Sequence, residues 1–315
     1  TKRLQKMETR RCSRKKMEGV MREEDFLTYN NTKQHIYIFD EVENPKGIVQ
    51  IIHGMQESVK TYFDFAKFLN EHGYAVVGLD LRAHGKTAGD LSQIGVCRET
   101  LFKNIVQDQI FLSKMIKTKS SLPLYVFGHS YGSFILQRYI QLYSGYEKVI
   151  LCGSSYMKKP LIRFGKFMAG LFCAFGGAHK KAHLIENMSF NSYQKKFKTG
   201  SWITSDEEEA KKFYDDEMNA LPFENAFYKD MFSNQLKLYS VKELAKIDTH
   251  KPIFIISGED DPIGDYSKSV KKLYDLYYDL GLNVQMKLYA GLRHGLVQET
   301  RRDEVMNDIL EFIEN

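Results

Sequence analysis

Short apolar runs alternating with amphipathic stretches restrict this chain more than any other feature. "HIYIFDE" (35–41), "GIVQIIHG" (47–54), "YAVVGLD" (74–80), "LPLYVFG" (122–128), "KVILCG" (148–153), "KPIFIISG" (251–258) and "NVQMKLY" (283–289) read as strands. "GIVQIIHG" is nearly unbroken and β-branched, the pattern of a strand covered on both faces. Helical stretches separate most of these runs, over 61–73, 97–118, 131–143, 267–280 and 300–313, and the first stops at Gly73. The alternation predicts an α/β fold, a mostly parallel, doubly wound central sheet flanked by helices.

One interval breaks the rhythm. From Ser154 to about His250 no run reads as a strand, so this segment is expected to be an inserted, mainly helical cap over the carboxyl edge of the sheet. The expected division is a basic tail or upstream extension over 1–20, a core over 21–153, the cap over 154–250 and the rest of the core over 251–315. Within the cap, Leu161, Phe164, Met168, Leu171, Phe172 and Phe175 share a helical stripe. Arg163 and Lys166 interrupt it, and it is shorter than the ~20 apolar residues a bilayer span requires. The stripe is expected to pack the cap onto the core, with an acyl-chain pocket or transient contact with a membrane surface as further uses.

Charge is unevenly spread. Residues 1–20 hold eight Lys/Arg against Glu8 and Glu18, a local charge of +6 inside a formal total of +5, so the rest of the chain sits near −1. The tail lacks aromatics and an apolar stripe, and no nucleic-acid partner is expected. No apolar run follows its basic residues, so a cleaved secretory signal is not expected. Four cysteines, Cys12, Cys97, Cys152 and Cys173, form no CxxC pair, which argues against a zinc site and a disulfide scaffold and for a reducing, cytoplasmic setting.

The chemistry gathers around "YVFGHSYGS" (125–133). A Gly-x-Ser-x-Gly pentapeptide arises by chance in about one in ten chains of this composition, so its context decides. Here the strand "PLYVFG" leads through Gly128-His129-Ser130-Tyr131-Gly132 into a helical "YGSFILQRYIQLY", the arrangement of a nucleophile elbow. A serine so placed needs a base, and that base needs an acid to orient it. In this arrangement the acid follows the serine and the histidine follows the acid. "ISGEDDPIGDY" offers Glu259, Asp260 and Asp261 after a buried strand, and the one histidine beyond it is His294, in "YAGLRHGLVQE". Pro262 rigidifies the turn beside Asp261, which favours it over Asp260. The two backbone donors of an oxyanion hole fall to Tyr131, after the nucleophile, and to Met55, after His53-Gly54. His53 and His84 read as loop-shaping residues rather than bases.

"IIHGMQES", "LDLRAHGKT", "VFGHSYGS", "ISGEDDPIGD" and "LYAGLRHGLVQE" stand in the order of the α/β-hydrolase fold. The chain resembles its monoacylglycerol lipase and lysophospholipase branch, grouped with serine-aminopeptidase-type hydrolases, from about Ile36 to the C-terminus. "SWITSDEEEAKKFYDDE" is similar to the cap of bacterial members. The resemblance implies nucleophile Ser130, acid Asp261, base His294, and oxyanion donors Met55 and Tyr131. The implied activity is cleavage of carboxylic esters through an acyl-enzyme, with a monoacylglycerol or lysophospholipid-like small-molecule substrate and neither cofactor nor metal. Met55 is bulkier than the residue some members carry there, which bears on pocket shape. A serine aminopeptidase or amidase and a non-catalytic binding protein on the same fold are the competing readings.

Overall fold

Aliphatic and aromatic residues at alternating positions build the central sheet, which the computed structural model describes together with the rest of residues 21–28 and 30–315. The strands are β1 (Arg22–Leu27), β2 (Lys33–Phe39), β3 (Gly47–Ile52), β4 (Tyr74–Leu79), β5 (Leu124–His129), β6 (Lys148–Cys152), β7 (Ile253–Gly258) and β8 (Val284–Tyr289). They lie in the order β1-β2-β4-β3-β5-β6-β7-β8. β1 and β2 pair antiparallel, β2 and β4 antiparallel, and every later pairing is parallel. The basic tail expected over 1–20 lies outside the described residues.

Helices α1 (Phe63–Glu71), α2 (Leu101–Lys119), α3 (Tyr131–Tyr139), α4 (Lys159–Phe172), α5 (Glu207–Asp215), α6 (Asn225–Leu238), α7 (Lys268–Asp279) and α8 (Arg302–Glu314) accompany the sheet. Successive strand side chains point to opposite faces, so each buried strand feeds two cores. Val49, Ile51, Phe127, Ile150 and Ile256 pack with Phe65 and Leu69 of α1 and Val305 and Ile309 of α8. Val126, Val149, Leu151 and Ile255 pack with Ile105 of α2, Tyr139 of α3 and Leu273 of α7. Each such burial contributes about 1.5–3 kcal/mol, which makes these two layers the main support of the sheet.

The order of the strands decides where a site can form. The chain passes from β3 to β4 on one side, then returns to place β5 on the other side of β3. At such a switch point the connections leave in opposite directions and a crevice opens beyond the carboxyl ends of the strands. The loops after β3, β5, β7 and β8 carry the residues singled out in the sequence.

The sequence reading did not include β1. "REEDFL" shows no apolar alternation, and its order comes from backbone pairing with β2, from Arg22↔Ile38 to Leu27↔Lys33, reinforced by Arg22–Asp40 and Lys33–Asp25 ion pairs. Charge on an edge strand discourages pairing with another chain, so the missing periodicity belongs to its position.

Between β6 and β7 no strand joins the sheet among the described residues, and a single bridge links Lys181 to Glu224. α4 and α6 pack against each other, and Phe227, Met231 and Leu238 of α6 enter the core layer of α2 and α3. The apolar stripe of α4 does not pack as expected. Leu161, Phe164, Leu171 and Phe175 are 58%, 51%, 39% and 83% exposed, while Ile162 and Ala169 are buried. Gly165 lies between them on the same face, so close to Phe232 that a Cβ there would approach its ring to 2.8 Å. The helix therefore docks through Ile162, Gly165 and Ala169 and turns Leu161, Phe164 and Leu171 outward, with Met168 and Phe172 half-buried.

Candidate active site

The elbow depends on how tightly α3 follows β5. β5 ends at His129 and α3 begins at Tyr131, leaving Ser130 alone to reverse the chain, at φ 52° and ψ −118°. A positive φ is strained for a residue with a side chain, and such strain persists where the surroundings over-determine it. Here the Ser130 N–H donates to Cys152 O at 3.0 Å. A Cβ on Gly132 would lie 2.1 Å from Ile52 O, and one on Gly128 would lie 2.8 Å from Gly132 O. Glycine at both positions lets α3 start hard against the end of β3.

The acid and the histidine meet as the sequence order predicts. Asp261 is fully buried after β7, and its Oδ2 lies 2.8 Å from His294 Nδ1. Asp261 Oδ1 accepts the Ile263 N–H at 2.8 Å and Oδ2 also accepts the Ser257 hydroxyl at 3.3 Å. Glu259 and Asp260 are exposed, so the turn sends only Asp261 inward. The backbones of the two loops are joined by Asp260 N–H to Leu292 O at 3.0 Å and Glu259 N–H to Tyr289 O at 2.9 Å. With Nδ1 facing the carboxylate, His294 Nε2 remains buried without a hydrogen-bond partner. That is the atom a base would use.

The loop after β3 completes the surroundings of Ser130. A Cβ on Gly54 would lie 3.2 Å from Ser130 Cβ, so this loop rests directly on the serine. His53 Nδ1 lies 2.8 Å from Gly54 O, and its Nε2 accepts the Leu81 N–H at 2.9 Å, which makes it a satisfied, neutral loop-former. His84 likewise directs Nδ1 to Arg82 O at 2.9 Å. The backbone N–H groups of Met55 and Tyr131 donate no hydrogen bond among the described residues.

Two residues near the site were absent from the sequence reading. Glu57 accepts the Gly54 N–H and the Tyr62 hydroxyl, the latter at 2.5 Å, and approaches His129 Nδ1 at 3.3 Å. Burial pushes its carboxyl up, but His129, His53 and Tyr62 outweigh that and hold it below its ordinary value. Trp202 stacks on His294 with centroids 5.2 Å apart and planes 28° apart. As the one Trp of the chain it was a visible signal, but nothing in its spacing tied it to His294.

A cavity of about 350 Å³ joins these parts. Ser130, Met55 and His294 line it from the core loops, and Glu186, Phe190, Trp202 and Phe213 line it from the segment between β6 and β7. Among the described residues no group of His, Cys, Asp and Glu could hold a metal ion, and no helix is long and apolar enough to cross a membrane.

An eight-stranded, mostly parallel sheet with a strained serine between β5 and α3 defines the chain as an α/β-hydrolase. The family described as serine aminopeptidase, S33, matches residues 43–301, and the chain belongs to it. The chain is 26% identical over 303 residues to a monoglyceride lipase of Saccharomyces cerevisiae, covering 88% of this chain and 89% of that protein. A thermostable carboxyl esterase from Bacillus coagulans, solved in complex with glycerol, superposes with TM-score 0.82 at 25% identity, covering 94% of this chain and 98% of that one. A soluble variant of the yeast monoglyceride lipase, solved with a substrate analog, has the same fold, with TM-score 0.68 at 22% identity over 89% of this chain and 91% of that one.

The buried histidines near the site carry a pH dependence. Burial, then the neighbouring His53, pushes His84 from 6.5 down to about 3, and burial also lowers His53. As pH falls below 6.5 the unfolded chain takes up protons that the folded chain refuses, so stability falls with pH across that window. From pH 7 to pH 5 His84 alone removes about 2 kcal/mol. Urea unfolding at the two pH values should show His84→Asn, whose amide can keep the bond to Arg82 O, losing less stability than the parent by about that amount. An unchanged difference would refute the assignment.

Proposed function

We propose that the chain is a serine ester hydrolase in which Ser130 is the nucleophile, His294 the base and Asp261 the residue that orients it. The observation that carries this reading is the buried 2.8 Å contact of Asp261 with His294 Nδ1, which leaves Nε2 unpartnered beside a cavity shared with Ser130. Ser130 Oγ attacks the ester carbonyl carbon as its proton passes to His294 Nε2. The carbonyl oxygen becomes an oxyanion, for which the unused N–H groups of Met55 and Tyr131 are the donors. Collapse breaks the bond to the alcohol oxygen, which takes the proton from the imidazolium and leaves an acyl-serine. Water, deprotonated by His294, then attacks the acyl carbon, the bond to Ser130 Oγ breaks as Oγ takes the proton back from the imidazolium, and the carboxylic acid leaves. Asp261 orients the imidazole and stabilises the imidazolium.

The substrate we propose is a monoacylglycerol or lysophospholipid-like ester, held under a cap formed by residues 154–250. The cavity supports it by combining aromatic walls, Phe190, Trp202 and Phe213, with polar Gln56 and Asn187. Similarity to the yeast monoglyceride lipase points the same way. An aminopeptidase would need a carboxylate free to bind an ammonium group. Glu186 faces the cavity with Oε1 already accepting Gln56 Nε2, the Phe223 N–H and the Tyr228 hydroxyl at 2.9, 2.8 and 2.9 Å, and burial pushes its carboxyl up toward the neutral form, which weakens it as an ammonium partner. The acidic Glu207 and Glu208 begin α5 on the exterior. Among the described residues Cys97, Cys152 and Cys173 are free thiols, which supports a reducing, cytoplasmic setting.

Separate Asn substitutions test the acid and the reaction together, assayed on a chain-length series of p-nitrophenyl esters beside an aminoacyl p-nitroanilide. Asp261→Asn should lower kcat on esters about 10³–10⁴-fold and Asp260→Asn less than about twofold. Faster turnover of the amide would favour the aminopeptidase reading, and no turnover of either would favour a binding protein.

We further propose that the outward face of α4 touches anionic lipid. Leu161, Phe164, Phe167 and Phe175 are exposed beside Lys158, Lys159, Arg163 and Lys166, and the stretch from 157 to 185 holds no acidic residue. Sedimentation with phosphatidylglycerol vesicles should fall several-fold in Phe164→Ser/Phe167→Ser, with unchanged kcat on a short soluble ester. Equal sedimentation of parent and variant would count against this contact.

A further inference from the structure

Trp202 does not reach His294 through sheet or helix. It sits in the irregular segment 199–205, and what holds that segment comes from the residues on either side of His294. Arg293 donates through Nη1 to Thr199 O at 2.8 Å, Ser201 O at 2.7 Å and Thr204 O at 3.2 Å, with its guanidinium 4.2 Å from the centre of the Phe197 ring. Gly295 N–H donates to Ile203 O at 2.6 Å, and Thr204 Oγ1 donates to Gln298 O at 3.0 Å. Glu299, fully buried, accepts the N–H groups of Ser205 at 3.0 Å and Arg293 at 2.8 Å and also binds the Ser205 hydroxyl. From the chain just before this segment, Gln194 Oε1 accepts the Trp202 backbone N–H at 2.9 Å, and Phe190 stacks on the indole at 5.4 Å with planes 7° apart.

Building on the reading that His294 is the base, we propose that segment 199–205 is a strap, tied by Arg293 and Glu299 to the base loop, and that Trp202 is the residue through which it positions the His294 ring. The bond from Nδ1 to Asp261 fixes one end of the imidazole and leaves the ring free to rock about that contact. Gly153 and His129 limit it elsewhere: a Cβ on Gly153 would lie 3.0 Å from His294 Cε1, and the His129 ring centre is 4.7 Å away. The indole closes a further approach, and Nε2 is held at one orientation toward the cavity. Its π face also favours the imidazolium that forms when Ser130 gives up its proton. The groups that face His294 are Asp261 from the loop after β7, His129 from the end of β5 with Glu57 behind it, and Trp202 from the strap. Tyr193 and Phe190 face the indole. The same ties make the base loop and the segment over the cavity one mechanical unit.

Two independent readouts test the strap. On p-nitrophenyl acetate, too short to reach along an acyl pocket, Trp202→Ala should lower kcat about tenfold with KM within about twofold. Trp202→Phe, which keeps an aromatic face, should recover most of it, and Arg293→Met should resemble Trp202→Ala. A Trp202→Ala variant that changes KM alone would make Trp202 a pocket wall and overturn the proposal. The second readout needs no turnover. At one fixed pH the emission of the single Trp should change in His294→Ala, which removes the stacked ring, and in Arg293→Met, which loosens the strap. Emission unchanged in both variants would overturn the stacking even in an active enzyme. Absence of esterase activity with the emission change intact would instead refute the hydrolase reading and leave the strap standing.

Discussion

The close start of α3 against the end of β3 is the constraint on which the rest depends. Gly132 has the Ile52 and His53 carbonyls where its Cβ would be, and this contact leaves one residue, Ser130, to reverse the chain at positive φ. The same contact sets Gly54 against the serine and orders the loop that carries Met55. Because β3 and β5 are neighbours at the topological switch, the crevice opens where the serine stands. Backbone packing, rather than any one side-chain interaction, places the hydroxyl.

Asp261 and His294 come from the far side of the sheet, and their alignment relies on a second close approach. A Cβ on Gly258 would lie 2.1 Å from Leu292 O, so the loops after β7 and β8 touch backbone to backbone before Asp261 and His294 meet. Asp261 is buried with three donors on its two oxygens, an environment that orients the carboxylate. Both halves of the site thus use the same device: a glycine, Gly132 in the first turn of α3 and Gly258 at the end of β7, admits a neighbouring backbone to a distance no other residue allows.

Much of this was legible in the sequence because it depends on local rules. Seven strands and the helices between them follow from apolar period and punctuation, and the meeting of Asp261 with His294 follows from chain order plus the turn fixed by Pro262. What was not legible rests on distant contacts. β1 carries charges where a strand pattern should show apolar residues, because its support is backbone pairing. The stripe on α4 was read from its largest residues, whereas the buried positions are Ile162 and Ala169, with Gly165 set against Phe232. Glu57 and Trp202 act on partners 72 and 92 residues away, and nothing in spacing reveals such pairs.

We propose that the strained turn makes Ser130 a nucleophile served by His294. A fluorophosphonate probe incubated with the protein, with the adduct located by peptide mass spectrometry, puts this to the test. One adduct is expected, on Ser130, absent in Ser130→Ala and much slower in His294→Ala. Labelling of a different residue, or equal labelling of Ser130→Ala, would contradict it.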